Sequence, residues 1–272
     1  IKSDESFEFV CHFSPENRGA NDNCAATVEK SKSYWCNFWR SGGAVDLSAS
    51  ADPRAAELER RIVLSQYQTA IQCSGSLPPQ ETGLTGNSWH GKFHLEMHWW
   101  HAAHFVLWGR AAMLEKSLLW YESILPVARA KAKVQGYDGV RWPKMTGPEG
   151  RSSPSSVGEF LIWQQPHPIY FAELLYRNDP DAKVLRRYKD IVFQTAAFMA
   201  SFAHWDETSN RYVLGPPLIP AQEIYRPTET MNPTFELSYW AFGLQIAQQW
   251  RQRLGLERVQ KWDHIIDHLA PW

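Results

Sequence analysis

The spacing of hydrophobic and polar positions along the 272-residue chain is predominantly helical. Apolar residues recur every three to four positions over long stretches, as in helices that bury one face, and hardly any stretch alternates like a half-buried strand. Eight helices are predicted, near 24–40, 53–74, from 94 onward, 113–136, 157–177, 181–204, 234–254 and 256–269. The sequence therefore predicts an all-α protein.

The predicted helices are joined alternately by short turns and by long loops. Short turns make antiparallel helix neighbours. The long loops, at 75–93, 137–156 and 206–233, are rich in Gly and Pro, and loops of that length in a compact domain are usually functional. If the helical hairpins form a ring, every long loop lies at the same end. The pattern thus indicates a toroid of hairpins with one functional face.

The composition of the chain limits the classes of function that it could have. The chain has 28 Lys and Arg against 29 Asp and Glu, so it has no electrostatic footprint for nucleic acid or an anionic membrane. No apolar run reaches the length of a membrane-spanning helix. The four cysteines form no CxxC pair, which favours free thiols over a zinc ribbon and leaves the compartment open, with an extracytoplasmic location as the guess. The 14 Trp side chains either pack in a core or offer their faces for sugar rings to stack on.

The segment "WHGKFHLEMHWWHAAHFVLWGR" (89–110) concentrates the candidate chemistry. On a helix, His94, His98 and His101 would be spaced by four and three residues and share one face, which is a metal-like spacing. The segment lacks the HExxH pattern, however, and Glu96 would lie elsewhere on the helix. A metal site, a sugar-binding helix and a crowded core all remain possible interpretations, and we expect no metal and no cofactor.

Three segments carry a resemblance to known families. "GYDGVRWPKMTGPEG" (136–150) resembles a loop of glycoside hydrolase family 65, and "EMHWWHAAH" (96–104) resembles a stretch of the family 95 fucosidases. "GPPLIPAQEIYRPTETMNPTFELSYWA" (215–241) resembles the loop after which these families place their general acid. Families 65 and 95 both belong to the six-hairpin, or (α/α)6, glycosidases. The resemblance implies an (α/α)6 toroid that cleaves a glycosidic bond of a carbohydrate substrate.

The resemblance implies that Glu223 is the general acid. The residues around it agree, because Glu223 follows a Gly/Pro-rich run near the start of a helix, where shielding from water would favour its protonated form. Glu229 is the nearby competitor but has the character of a first-turn helix residue. The residues expected to contact the sugar are His94, Glu96, His98, Trp99, Arg141, Trp142, Trp163, Gln164 and Tyr225.

An inverting glycosidase needs a second carboxylate, about 6.5 to 9.5 Å from the acid, to activate water. The resembling families take it from a loop far downstream of the acid, and a full ring has twelve helices. We therefore expect an incomplete toroid over 21–272, without its general base, after a short extended lead-in at 1–20 that could be the tail of a β-domain. Glu96 and Glu159 are the alternatives for the base. However, the position of Glu96 is better suited to sugar contact, and Glu159 has the character of a charge in the first turn of a helix.

The resulting hypothesis is a glycoside hydrolase that acts with inversion through Glu223. A phosphorylase of the same superfamily, a carbohydrate-binding toroid without catalysis, and a metal enzyme built on His94, His98 and His101 are the alternatives. The sugar, the linkage and the oligomeric state stay open.

Overall fold

The fold is helical in a computed structural model that describes residues 7–14, 16 and 23–272. Within that part, nine α-helices follow one another: α1 Cys24–Ser41, α2 Ala55–Cys73, α3 His98–Leu107, α4 Ala111–Ser123, α5 Leu125–Val134, α6 His167–Asn178, α7 Ala182–Phe202, α8 Thr234–Arg253 and α9 Gln260–His268. The short strands are β1 Phe93–His94, β2 Met145–Thr146, β3 His204–Asp206 and β4 Arg211–Val213. None of the described helices is long and apolar enough to cross a membrane.

The chain divides into two compact units, 1–59 and 60–272. In the first unit, α1 begins where the Asn23 side chain accepts a hydrogen bond from the Ala26 amide, an N-cap that satisfies one free donor of the helix end. Residues 7–14 form no regular secondary structure, so the extended lead-in is not a strand there. The predicted boundary at residues 20 and 21 lies outside the described residues and stays a prediction.

In the second unit, the helices form two layers. α3, α6 and α8 lie side by side, and α4, α7 and α9 pack behind them. Large apolar side chains fill the space between the layers, and their polar atoms find partners there. The Trp240 indole, for example, donates to the Met199 carbonyl at 2.8 Å. A two-layer stack of helical hairpins with little sheet is the incomplete all-α toroid that the sequence predicted.

The predicted helix from residue 94 is wrong at its start. His94 lies in β1, which pairs antiparallel with β2 through His94↔Met145, and α3 begins only at His98. The pairing continues one step further, because the Leu95 amide donates to the Lys144 carbonyl at 2.9 Å. The spacing of the histidines predicts a helix here, but the backbone of β1 forms its hydrogen bonds with β2, a strand about fifty residues away.

Two further helices are shorter than predicted. The predicted helix at 113–136 is broken at Ile124, because Pro126 lies in the first turn of α5 and cannot continue the hydrogen bonding of α4. The helix predicted from 157 begins at His167, and the ten residues before it form turns and one bridge between Leu161 and Ile219.

The loop after α5 lies directly against α7. Its Val140 amide donates to the Gln194 carbonyl at 3.1 Å. Gly139 adopts a φ of +69°, and a Cβ at this position would collide with the Gln194 carbonyl and the Phe198 amide of α7. Only glycine allows this close approach. The contact fixes the start of the segment that carries Arg141, Trp142 and Lys144.

Candidate active site

The N-terminal ends of α3, α6 and α8 meet at one end of the second unit. His167, the first residue of α6, has its Nε2 3.1 Å from the carbonyl oxygen of Glu96, which precedes α3. The Trp163 ring, just before α6, lies 6.1 Å from the Phe235 ring in the first turn of α8. The long loops that lead into these helices therefore share one end, as the alternation of turns and loops predicted.

At that end, one lysine contacts two carboxylates. The Lys144 Nζ lies 3.2 Å from Glu96 Oε1 and also forms an ion pair with Glu223 Oε1. Lys144 and Glu96 are brought together by the β1–β2 pairing, since Lys144 precedes β2 and Glu96 follows β1. Glu96 and Lys144 are buried, whereas Glu223 is about one-third exposed. Two acidic groups far apart in the sequence thus share a single ammonium.

Burial and the neighbouring charges shift the pKa values of the groups in this cluster. Burial raises the pKa of Glu96 to about 7, although the Lys144 ammonium acts to lower it. Burial lowers the pKa of Lys144, but the hydrogen bond with Glu223 and the charges of both carboxylates outweigh it and raise the pKa above its usual value. At neutral pH the lysine is therefore charged, and Glu96 is close to half protonated. A carboxyl group in this state can take up or release a proton.

Glu223 is held by a short braced loop. It has a φ of +60°, and its amide donates to the Pro220 carbonyl at 3.0 Å. Between them, the Ala221 amide donates to the Glu236 carboxylate of α8 at 2.9 Å. Glu236 is buried, which raises its pKa. The buried carboxylate therefore anchors the turn that presents Glu223.

An aromatic groove lies beside this cluster, with a volume of about 400 Å³. Its lining residues are Trp99, Trp100, Trp163, His167, Tyr170, Phe235, Ser238, Tyr239 and Phe242. Trp99 stacks on Tyr170 with ring centroids 5.9 Å apart, and the outer faces of Trp99 and Trp100 are exposed. The Trp163 indole N–H lies close enough to Glu96 to favour the carboxylate form, yet it makes no hydrogen bond of good geometry. The groove thus offers ring faces next to Glu96.

A second, larger cavity of about 900 Å³ opens beyond the groove, with Phe235 and Ser238 in both walls. Tyr225 lines it and is exposed, which leaves it available to a ligand. Glu229 also lines it, but its carboxylate is mostly solvent-exposed and pairs with Arg226 at 3.2 Å. Glu223, with its buried partners, is therefore in the more unusual environment of the two competing acids.

Arg141, Trp142 and Gln164, which we expected to contact the sugar, lie in the interior. Trp142 is completely buried, and its indole donates to Thr195 Oγ1 at 2.9 Å. Arg141 is buried and donates to the carbonyls of Trp142 and Leu161, and burial lowers the pKa of its guanidinium to about 10. The Gln164 side chain donates to the same two carbonyls. Because they offer no free surface, these residues brace the loop, and the expectation of sugar contact is not supported for them.

The histidines do not share a face. His98 is buried with both ring nitrogens bonded, Nδ1 to the Tyr121 hydroxyl at 3.0 Å and Nε2 to Ser117 Oγ at 2.9 Å. His101 has its Nε2 2.8 Å from the Glu81 carbonyl oxygen. His94 lies in β1, before the helix that was expected to carry all three. Among the residues that the structure describes, no group of three metal-ligating side chains comes together.

Glu159, the other alternative for the base, lies apart from the cluster. Its carboxylate pairs with Lys131 at 3.2 Å and accepts from Gln135 at 2.8 Å. This is the environment of a structural charge and not of a group that faces a ligand.

Two residues of the site were missed in the sequence. Lys144 lies inside a quoted motif, and the signal that could have found it is a lysine within an otherwise apolar run after a Trp-Pro pair. Glu236 lies in the first turn of α8, which is the usual place for an exposed acid, so its position in the sequence gives no signal of its burial. Only the packing of α8 shows that it is buried.

Comparison with known proteins finds a likeness in structure only. No protein-family model and no curated protein sequence matches the chain. A solved structure described as "Putative kojibiose phosphorylase from human microbiome" matches 92% of this chain with a TM-score of 0.71 and 12% sequence identity. At this identity the likeness shows the fold alone, which is the helical fold of that structure. This confirms the fold that the sequence resemblance predicted, and the chain spans 34% of the length of that structure.

Proposed function

We propose that the protein cleaves a glycosidic bond, with Glu223 as the group that donates a proton to the leaving oxygen. The observation that supports this most is the shared ammonium of Lys144, which brings Glu223 at the surface next to the buried Glu96. Acid-catalysed cleavage of a glycoside needs a carboxyl that carries a proton near neutral pH. The cluster contains such a carboxyl, because the pKa of Glu96 is about 7 and Glu96 is therefore close to half protonated at neutral pH.

The proton is proposed to move within the cluster. In the free protein it resides on Glu96, and Lys144 makes its closer contact with Glu223. When a sugar covers Glu223, Lys144 pairs with Glu96, which releases its proton through the ammonium to Glu223. Glu223 then gives this proton to the glycosidic oxygen as the carbon–oxygen bond breaks. Afterwards Glu96 is protonated again from solvent, so that the charges balance over one turnover.

Glu96 does not fit the role of the general base. Two oxygens that both contact one ammonium lie no more than about 6 Å apart, since each contact has hydrogen-bond length. Inversion needs about 6.5 to 9.5 Å between the two carboxyls to leave room for water. The base of an inverting reaction would therefore be a different carboxylate, in agreement with the expectation from the resemblance.

The aromatic groove supports a carbohydrate as the substrate. Exposed indole and phenol faces beside hydrogen-bonding groups suit the apolar faces and the hydroxyls of sugar rings, as expected for Trp99. The Trp163 ring lines the same groove and would contact the sugar there. Tyr225 would contact the sugar from the neighbouring cavity.

Hydrolysis with inversion is the first candidate for the reaction, and phosphorolysis is the second because the similar structure is described as a phosphorylase. The test incubates the protein with kojibiose, other glucose disaccharides and aryl glycosides, with and without inorganic phosphate. Free sugar in both conditions supports hydrolysis, and sugar phosphate formed only with phosphate supports phosphorolysis. Glu223→Gln should abolish either activity, and activity at the wild-type level in that variant would rule out the role of Glu223.

The matched variant is Glu96→Gln, which keeps the shape of the side chain and removes the titrating proton. We expect the wild-type rate to decline as pH rises through about 7 and this decline to be lost or displaced in Glu96→Gln. An unchanged pH profile would contradict the proton transfer. Saturable sugar binding without turnover under all conditions would favour the non-catalytic alternative.

A further inference from the structure

An exposed tryptophan outside the aromatic groove contacts the cluster around Lys144. The Lys144 Nζ lies over the Trp89 ring, 5.8 Å from its centroid, which is within the range of a cation–π contact. The Trp89 ring also lies beside the His94 ring, with the two centroids 6.3 Å apart. Both of these neighbours are buried, whereas Trp89 is 55% exposed. The indole therefore rests on buried side chains and leaves much of its surface open to a ligand.

The backbone of Trp89 has a conformation that bulky residues rarely adopt. Its φ is +50° and that of His90 is +60°, and such left-handed values cost free energy for residues that carry a side chain. Gly91 completes the turn with a φ of +71°. Residues in this region persist only where the surrounding structure holds them, and they cluster at ligand-binding sites. The strain at Trp89 thus points to a functional role for the position of its ring.

The turn is held by the loop that precedes it. The Ser88 amide donates to Gln80 Oε1 at 3.2 Å, and the Ser88 hydroxyl donates to the Glu81 carboxylate at 2.9 Å. The carbonyl oxygen of Glu81 lies 2.8 Å from Nε2 of His101 in α3. These contacts connect the turn to α3 and fix Trp89 before any ligand binds. A ring fixed in this way loses little conformational freedom when a ligand stacks on it.

Trp89 and the aromatic groove lie at different edges of the cluster. Trp89 is not among the described residues that line the groove, whereas Glu96 borders it, because its carbonyl oxygen lies 3.1 Å from Nε2 of the groove-lining His167. Glu96 and Trp89 both contact Lys144, so the lysine connects the groove with Trp89. Glu223 pairs with the same ammonium. Its carboxylate therefore lies no more than about 9 Å from the centre of the Trp89 ring, since the ion pair has hydrogen-bond length.

A sugar unit matches the groups that this edge offers. An indole face packs against the C–H groups of a sugar ring. The Glu223 carboxyl, about one-third exposed, can exchange hydrogen bonds with hydroxyls and with the glycosidic oxygen at the edge of the same ring. A purely apolar ligand would cover this carboxyl without a hydrogen-bond partner, which is costly.

We propose that Trp89 binds a second sugar unit of the substrate, so that a glycoside of at least two units extends from the aromatic groove past Glu223 to Trp89. This inference rests on the proposed function, in which Glu223 protonates the oxygen between the two units. The groove holds the unit on one side of the bond that breaks, and Trp89 holds the unit on the other. A single sugar unit fills the groove alone.

The test measures sugar binding to Glu223→Gln, which is expected not to cleave its ligands. The protein is labelled with fluorotryptophan, and the fluorine NMR signal of Trp89 is identified by its absence when Trp89→Phe is added. Kojibiose, maltose and cellobiose are the two-unit probes, and methyl α-D-glucopyranoside is the single-unit probe. We expect at least one disaccharide to shift the Trp89 signal saturably, and the single unit to shift only signals of the groove, such as that of Trp99.

Three variants in the same background separate stacking from a structural role. Trp89→Leu should weaken binding of that disaccharide at least about tenfold, which corresponds to about 1.4 kcal/mol, and should leave binding of the single unit unchanged. Trp89→Phe keeps an aromatic ring and should retain most of the affinity. The matched control is Trp99→Leu in the groove, which should weaken binding of both ligands.

Two results would overturn the proposal. Equal disaccharide affinity with and without Trp89→Leu, or no shift of the Trp89 signal with any of the three disaccharides, would show that the indole only covers Lys144. Cleavage of the ligand by Glu223→Gln would instead contradict the role of Glu223. Because Trp89 is read by binding and Glu223 by turnover, the two failures are distinguishable.

Discussion

Glu173 and Glu96 are both buried acids, but their neighbours differ. The Glu173 carboxylate is completely buried and accepts hydrogen bonds from Arg177, Arg253 and Trp250 at 2.6 to 2.8 Å. Burial acts to raise its pKa, but these donors outweigh it and hold the pKa below its usual value. Glu96 has only a share of one lysine, and its pKa rises to about 7. The number of donors, and not burial itself, decides whether a buried acid is a fixed charge or a proton carrier.

The largest expected effect follows from removing the charge of Glu173. Glu173→Gln should lower the free energy of unfolding by about 3 kcal/mol at pH 7, because Arg253 and Trp250 lose a fully desolvated partner. Urea denaturation measures it. The matched control is Arg177→Gln, which removes a partner that is more than half exposed and should cost less than about 1 kcal/mol. Equal losses in both variants would contradict the comparison.

The next effect is a dependence on pH. The folded-state pKa of Glu96 lies above its usual value, so its contribution to stability is fully present below about pH 4.5 and is lost as pH rises through about 7. The loss is up to about 3 kcal/mol. The free energy of unfolding of Glu96→Gln should lack this decline between pH 4.5 and 7. Glu173 behaves in the opposite sense, since its contribution is lost as pH falls below its usual range. Parallel pH profiles of wild type and Glu96→Gln would refute the assignment.

A smaller effect concerns the support of Glu223. Glu236→Ala removes the acceptor of the Ala221 amide, and it should lower kcat about tenfold with little change in KM, while the cost in stability stays near 1 to 2 kcal/mol. Steady-state kinetics on a substrate that the proposed turnover assay identifies would measure this change in kcat. Glu236→Gln keeps the acceptor and should restore most of the rate. If Glu236→Gln were as slow as Glu236→Ala, the role of Glu236 would not be to hold the loop.

The smallest effect is expected at Glu229. Its carboxylate is largely exposed and pairs only with the exposed Arg226, so Glu229→Ala should change the free energy of unfolding by less than about 0.5 kcal/mol. Thermal unfolding and the activity assay check it together. An activity as low as that of Glu223→Gln would exchange the roles of the two acids.

Helices that bury one stripe could be predicted from the sequence. The predicted bounds 181–204 and 234–254 differ from α7 and α8 by no more than two residues at each end. His94 could not be placed, because the hydrogen bonds of β1 depend on a strand that is distant in the sequence. Lys144 was missed for the same reason, since its value as a shared partner exists only after β1 and β2 pair.

A candidate for the general acid could be named from the sequence, but its surroundings could not. Glu223 follows from the loop and from the resemblance and stays a prediction, whereas the burial of Glu96 and Glu236 is a result of tertiary packing. Arg141 and Trp142 show the opposite error. Their residue types suit a sugar, but the approach of Gly139 to α7 turns them into the interior.

That approach also bears on how the protein can vary. Gly136 and Gly139 both adopt positive φ, but a Cβ at Gly136 meets nothing within 4 Å, while at Gly139 it meets the backbone of α7. In a library of random variants, position 136 should accept asparagine and aspartate, and position 139 should return almost only glycine. A single backbone contact at Gly139 would then restrict which sequences can carry the segment that contains Lys144.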